Sequence, residues 1–336
     1  MTAAEGKSKI SKFFAVKKAG TDMKIVVLCG GTSPEREVSL NSGKAVAEAL
    51  SQYGYKTELC DITSISGFIS EWPSYKADGV FIALHGGWGE DGRLQAVLDA
   101  FGIKYTGSGP EASMLSMDKT AAKYAFSAAG VPVPEGFIAA RENDGRDAAE
   151  KFLSRFGRII VKPNSGGSTV GVTQISDIAG YGDALELAWQ SEKKALVEEF
   201  IEGEEATVPV FELPDGRTAA LPAIHIKPKT GFYDYRNKYT PGSTEYICPA
   251  DFPESVSSRL AELAVAAHKA IGCRCYSRID FRVSADGSLR ALEANTAPGM
   301  TATSLVPKSA KAQGIPFGEF LDSVIKISFA IDRNEK

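Results

Sequence analysis

The chain has 336 residues, with 38 Lys and Arg against 42 Asp and Glu, a formal charge of −4, and 43% hydrophobic and 24% charged residues. Such averages exclude a collagen-like, wholly disordered or disulfide-stapled chain, and the slight acidic excess provides no global basic field for nucleic acid. At roughly 150 residues per domain the length suggests about two domains, and no apolar run reaches the ~18 residues that a membrane span needs.

Residues 1–22 carry five lysines and no apolar core of a secretory leader, so they read as a mobile extension. Gly6-Lys7-Ser8 within them has no preceding phosphate loop and is a chance match. The folded body is expected to begin at Met23. A buried strand at 24–29 runs into Gly30-Gly31, a helical pattern covers 40–52, and Gly54 is placed to end it. Strands follow at 56–62 and 79–84, then a helix at 93–101 and a short strand at 103–106. This alternation predicts a parallel sheet wrapped by helices, whose ligands bind at the carboxyl ends of the strands, where Glu35 and His85 lie. Gly107-Ser-Gly-Pro-Glu-Ala112 imitates a dinucleotide fingerprint, but it follows the fourth strand instead of the first, so it reads as a tight turn opening a helix.

A helix is expected at 119–129, stopped by Gly130 ahead of Pro132 and Pro134. From Arg158 the order becomes strand, loop, strand, helix, strand. Residues 206–250 are strand-like and rich in proline, 255–271 is an amphipathic helix, and a final helix covers 317–331. Five cysteines include no CxxC pair. Cys273 and Cys275 flank one residue on an apparent strand, which puts them on one face. They read as reduced thiols of a cytoplasmic protein, and His225 and His268 read as structural.

The strongest chemical signal is the hairpin Arg278-Ile-Asp280 to Leu292-Glu293-Ala-Asn295 around Asp286-Gly287. A two-residue turn centred on that pair matches residues whose numbers sum to 573. Asp280 then faces Glu293 and Arg278 faces Asn295, all four on one side of the sheet. Two carboxylates and an amide beside one arginine suit Mg²⁺, which takes its remaining ligands from phosphates and water; a cross-strand salt-bridge face is the plainer alternative. A second signal is a lysine, Lys162, ending a buried strand before the glycine-rich turn Asn164-Ser-Gly-Gly167-Ser168-Thr169. Its backbone N–H groups and point charge can hold phosphates, although it is not a Walker A loop.

Several long motifs in order now resemble one family. They are Gly30-Gly-Thr-Ser-Pro-Glu35-Arg-Glu-Val-Ser-Leu40, Ile82-Ala-Leu-His85-Gly, Tyr105-Thr-Gly-Ser-Gly109, Ser116-Met-Asp-Lys119, Phe232-Tyr-Asp-Tyr-Arg-Asn-Lys238-Tyr239, Arg278-Ile-Asp280 and Leu292-Glu-Ala-Asn-Thr-Ala-Pro-Gly299-Met. From about Met23 to Ile331 the sequence resembles the D-alanine–D-alanine ligases of the ATP-grasp superfamily. The resemblance implies an α/β, three-domain ATP-grasp architecture: an N-terminal parallel-sheet (Rossmann-like) substrate domain at 23–118, a small ATP-grasp domain at 119–205 and a metal-bearing C-terminal domain at 206–336.

It also implies roles. Glu35 and His85 would hold the first D-alanine. Lys119, Lys162, Gly167, Ser168 and Lys238 would meet the ATP phosphates, and Glu198, Phe200 and Glu205 the nucleoside. Asp280, Glu293 and Asn295 would bind two Mg²⁺ (or Mn²⁺). Arg278 and the Gly299 N–H would stabilise the tetrahedral oxyanion, and Ser304 with the Leu305 backbone would hold the second carboxylate. Tyr239, Ser168 and Glu35 would form a closing hydrogen-bond link. Partners would be D-alanine, ATP and a second copy in a homodimer, with neither nucleic acid nor membrane. Two departures stand out: the phosphate loop lacks the Arg-Glu-Gly-Ser-Ser of many relatives, and Glu198-Glu199-Phe200 replaces the more familiar Glu-Lys-Trp. The rival readings are a D-alanine–D-lactate ligase, which Tyr239 argues against, and an inactive ATP-binding module, which would have lost metal or oxyanion residues.

Overall fold

The computed structural model describes residues 22–167, 170–213, 215–229, 240 and 242–331. Its first unit is a three-stranded parallel sheet, β1 (Lys24–Gly30), β2 (Lys56–Ile62) and β3 (Gly79–Ile82), in the order β2-β1-β3. Helix α1 (Arg36–Tyr53) joins the first two strands and begins four residues earlier than the apolar periodicity indicates. The reason is its first turns, which bury Ser39, Ser42 and Gly43 in place of large apolar side chains. A Cβ on Gly43 would lie 2.5 Å from Cys29 Cβ, so glycine permits the close approach to β1. Gly54 ends α1 in the left-handed conformation, as expected.

Two expectations for this unit change. Helix α2 (Ile65–Tyr75) fills a stretch whose Gly67 and Pro73 obscure the pattern, although Ser64 caps it by accepting from Gly67 N. The fourth strand at 103–106 is a single bridge between Val80 and Tyr105, and β3 stops at Ile82. The chain turns away at Gly107, whose φ is +90°, and the glycine pair there does open a helix, α4 (Pro110–Met117), after α3 (Arg93–Ala100).

A four-stranded antiparallel sheet, β4-β7-β5-β6, comprises β4 (Gly136–Ala140), β5 (Ile159–Pro163), β6 (Thr173–Ile175) and β7 (Lys194–Glu199), with α6 (Arg146–Phe156) and α7 (Tyr181–Trp189) packed on it. Strand β4 and α6 went unread in the sequence. Before them comes α5 (Lys119–Ala128), which the Asp118 carboxylate caps at Ala121 N.

The third sheet has six strands: β8 (Glu204–Glu212), β9 (Thr218–Ala220), β10 (Ile224–Pro228), β11 (Thr244–Ile247), β12 (Tyr276–Val283) and β13 (Leu289–Asn295). Their order is β11-β10-β8-β12-β13, with β9 on β8. Helix α8 (Glu254–Ile271) covers one face and shares its core with α5 through Ala122, Phe126, Leu260 and Ala264. Cys273 and Cys275 are buried just before β12, in a turn where Cys275 takes φ +62°, so they do not share a strand face. Finally α9 (Leu305–Ala312) and α10 (Phe317–Ala330) bring the chain back to the first sheet. There Asp322, itself buried, accepts from Tyr55 OH at 2.7 Å and pairs with Lys326 at 2.9 Å.

His268 on α8 is buried, with Nδ1 2.7 Å from Ser277 Oγ. Burial lowers its pKa from 6.5 to about 4, so the fold holds the imidazole neutral. The unfolded chain therefore binds the extra proton between these values, and the contribution is complete above pH ~6.5 and lost as pH falls toward 4. We expect His268→Gln to flatten the fall in melting temperature between pH 6.5 and 4; an unchanged pH dependence would refute the assignment.

Candidate active site

The β12–β13 hairpin places Arg278 opposite Asn295 and Asp280 opposite Glu293, as expected, but by a different route. The turn has three residues: Gly287 N bonds Ser284 O, Ser284 N bonds Ser288 O, and Gly287 takes φ +82°. Asp286 accepts from Ser288 N instead of occupying a two-residue type I′ turn. The pairs nearest the turn thus sum to 572, and a bulge between Asp280 and Phe281, with Leu292 as the extra residue on β13, restores 573.

On this face Arg278 is buried and donates from Nε and Nη2 to the two oxygens of Asp280, at 2.9 and 2.8 Å. Thr207, the partner of Asp280 on β8, donates its hydroxyl to Oδ1 at 2.5 Å. Asn295 Oδ1 accepts from Ala297 N at 3.0 Å, which leaves that oxygen a second lone pair. The hairpin forms one wall of a cleft of about 1100 Å³ out to its open mouth. Of the expected site residues, Lys119, Lys162, Gly167, Glu198, Phe200, Glu205, Arg278, Asp280, Glu293 and Leu305 line it.

Opposite the hairpin, α5 and the four-stranded sheet bring together a buried charge cluster. Lys119, Lys123 and Lys162 are each under a tenth exposed. Glu198, 2% exposed on β7, pairs with Lys162 Nζ at 2.6 Å and with Lys123. Lys119 bonds Gly166 O and lies 3.7 Å from Glu293. Burial pushes the Glu198 carboxyl upward, but Lys123 and Lys162 together outweigh it and hold the group below its ordinary value. Burial likewise lowers the Lys119 ammonium, against the pull of Glu293. Three buried ammonium groups are thus interleaved with the Glu198 and Glu293 carboxylates, and Lys119 and Lys162 present theirs to the cleft.

The end of the cleft beside Phe200 and Glu205 contains a residue the motifs did not single out. Arg282, two residues beyond Asp280 on the same strand face, donates to Ile201 O and Glu205 at 3.1 Å and to Gly203 O. Its guanidinium and that of Arg158 lie 5.8 and 4.4 Å from the Phe200 ring centre. Thr207 and Arg282 could be found only once β8 was known to pair with β12. At the glycine-rich turn, Asn164 Oδ1 accepts from Thr120 N and Oγ1, and Ser165 bonds Glu192, so α5 and the lead-in to β7 hold the root of the loop.

Glu35 and His85 lie at the carboxyl end of the parallel sheet and are not among the residues lining the cleft. A Cβ on Gly86 would come within 3.0 Å of Glu35 Oε2, so the carboxylate reaches the His85-Gly86 turn. Buried His85 has Nε2 2.9 Å from Ser42 Oγ and Nδ1 3.6 Å from Glu90, a partner the sequence reading missed. Ser304 precedes α9 and accepts from Thr301 N at 3.1 Å; a Cβ on Gly299 would lie 3.0 Å from Ser304 Oγ. Ser304 is the N-cap of α9 without a side-chain cap bond, and Leu305, which opens the helix, lines the cleft. Ser168, Lys238 and Tyr239 lie outside the described residues.

Among the described residues, no three His, Cys, Asp or Glu side chains are grouped to hold a metal. Asp280, Glu293 and Asn295 are instead an oxygen set with only two carboxylates. That set fits Mg²⁺ or Mn²⁺ sharing its coordination with phosphate oxygens and water, and not a self-sufficient protein cage.

The model for the D-ala D-ala ligase C-terminus matches residues 125–326, and that for the N-terminus matches 70–108. A D-alanine–D-alanine ligase of Anaeromyxobacter sp. (strain Fw109-5) is 44% identical, with 91% of this chain and 96% of that one covered. The crystal structure of the Bacillus anthracis D-alanine–D-alanine ligase complexed with ATP superposes with a TM-score of 0.79 at 32% identity, covering 91% and 97% of the two chains. The VanG D-Ala:D-Ser ligase of Enterococcus faecalis gives 0.79 at 30% identity, covering 92% and 100%. Sheet order and cleft are accordingly those of the ATP-grasp fold, and the chain belongs to the D-alanine–D-alanine ligase family.

Proposed function

We propose that this chain uses ATP to join two D-alanines into D-alanyl-D-alanine, a peptidoglycan precursor, releasing ADP and phosphate. The observation that carries this is the carboxylate pair Asp280 and Glu293, with Asn295 beside it, facing Lys119 and Lys162 across one cleft. The carboxylate of the first D-alanine attacks the γ-phosphorus, forming an acyl phosphate and ADP. The amine of the second D-alanine, once deprotonated, attacks that carbonyl and phosphate leaves.

Lys119, Lys162 and the N–H groups around Gly167 draw the triphosphate in and offset the repulsion between it and the incoming carboxylate. Lys238 adds to that charge and Ser168 closes the loop above it. Glu198, Phe200 and Glu205 receive the nucleoside. Asp280, Glu293 and Asn295 hold Mg²⁺, which supplies electrostatic stabilisation of charge on the transferring phosphoryl oxygens when bound. Glu35 holds the ammonium of the first D-alanine beside His85, and the role the resemblance implies for Tyr239 and Ser168 is to close the site with Glu35 against water. Arg278, oriented by its bidentate bonds to Asp280, and the Gly299 N–H stabilise the tetrahedral oxyanion. Ser304 and the Leu305 N–H receive the second carboxylate. The enzyme acts in the cytoplasm as a homodimer.

The first test is ADP release with Mg²⁺ and ATP, using D-alanine, L-alanine or D-alanine plus D-lactate, with products identified by mass. D-alanine-dependent turnover with dipeptide is expected and should stop on chelation of Mg²⁺. A depsipeptide product would reassign the acceptor, and no turnover despite ATP binding would leave an inactive nucleotide-binding module. Glu293→Gln should lower kcat by about a hundredfold or more with the melting temperature retained; substantial residual activity would reject its metal role. Arg282→Met should raise KM for ATP about tenfold while leaving KM for D-alanine near its original value, because Glu205 and the 201–203 carbonyls lose their shared donor. Equal changes in both constants would refute that division.

A further inference from the structure

Lys123 has no part in the roles above. It stands one helical turn after Lys119 on α5, so both ammonium groups leave the same face of the helix. Only Lys119 lines the cleft. Lys123 lies behind Glu198, bonded to its Oε1, while Lys162 takes Oε2 from the cleft side.

This arrangement gives one buried carboxylate two cations, and their circumstances differ. Lys162 ends β5 beside the glycine-rich turn, where a triphosphate would compete for it. Lys123 is 7% exposed and is not among the residues lining this cleft. If Lys162 were the sole partner of Glu198, moving it to a phosphate would strand an ionised carboxylate in a dry site, a costly state. A second, permanent partner removes that conflict. Glu198 then stays ionised, with its orientation set from behind, while Lys162 is free to move.

We propose that Lys123 is a positioning residue for ATP: it holds Glu198 charged and in place from behind, so that Lys162 can be surrendered to the phosphates. The proposal rests on the ATP reading above and concerns how that site is primed. Burial lowers the Lys123 ammonium to about 8, with Glu198 opposing the shift. The charged groups around it are Lys119 on its own helix, Glu198 on β7, Lys162 on β5 and Glu293 on β13.

The test compares wild type, Lys123→Met and Lys123→Arg by ADP release at saturating D-alanine from pH 6.5 to 9.5, with binding of ATP by calorimetry alongside. Lys123→Met should raise KM and Kd for ATP about tenfold at pH 7, with kcat and KM for D-alanine within about threefold of wild type. Lys123→Arg, which keeps its charge throughout the range, should bind ATP as wild type does at pH 7. It should also lack the rise in KM for ATP that is expected of wild type above pH 8 as Lys123 loses its proton.

Unchanged ATP affinity in Lys123→Met, or equal losses in ATP and D-alanine constants, would overturn the proposal. If Lys123→Met does not fold, the pH profile of Lys123→Arg decides, and an alkaline rise identical to wild type overturns it. Absence of turnover by wild type itself would count against the ligase reading alone, since calorimetry on the three proteins still measures the ATP effect.

Discussion

Three ammonium groups meet in a site that water barely reaches, and much of the cleft's architecture answers the problem this creates. Lys119, Lys123 and Lys162 come from α5 and β5, Glu198 from β7 and Glu293 from β13. Like charges crowded at low dielectric repel and lose their protons unless carboxylates stand among them. The carboxylates do this one by one, Glu198 between Lys123 and Lys162 and Glu293 beside Lys119, so that each ammonium has a carboxylate partner. The same pairs tie the four-stranded sheet to α5, whose other face packs against α8, and through Glu293 to the six-stranded sheet. The charge that binds phosphate is therefore also part of what fixes the two sheets around it.

Across the cleft the constraint is register. A one-residue slip in a strand turns every side chain to the opposite face. The hairpin avoids this through two offsetting irregularities, a three-residue turn and a bulge at Leu292. The bulge restores the pairing that sets Asp280 against Glu293 and leaves Leu292, its extra residue, lining the cleft. Thr207 and Arg278 then fix the Asp280 carboxylate from two directions. The metal and phosphate role proposed for this site would gain from carboxylates whose rotamers are already set by hydrogen bonds.

How far this was legible follows from the range of each signal. Alternation along a strand and the Asp286-Gly287 pair are local, so the four hairpin residues could be placed on one face from the sequence. The reading reached the correct pairs through a two-residue turn, because a bulge has no local signature and cancelled the error. Helix α1, stopped by Gly54, was legible at its end but not at its beginning, where serines and a glycine replace apolar residues against β1. Helix α2 was missed where Gly67 and Pro73 blur the period, whereas α6 went unread although Ala149, Phe152, Leu153 and Phe156 keep helical spacing. Thr207, Arg282, Glu90 and Lys123 were missed for a different reason. Each acts across a pairing or a packing contact between elements far apart in the chain, which no spacing within a single segment encodes.

The departure at 199 has a local structural consequence. Where relatives commonly carry lysine, this chain has Glu199, and its side chain accepts from Glu135 N at 3.0 Å, helping to hold the lead-in to β4. The ring at 200 is smaller than the tryptophan it replaces, yet it lies between Arg158 and Arg282. The cations at this end of the cleft are Arg282 on β12, paired with Glu205, and Arg158 just before β5, paired with Glu202. Arg282 adds what a lysine at 199 could not, since its planar fork reaches two backbone carbonyls and Glu205 together. Conserving a local potential requires only that some strand deliver a cation to the same place, and a sheet whose faces converge on one cleft offers several strands that can.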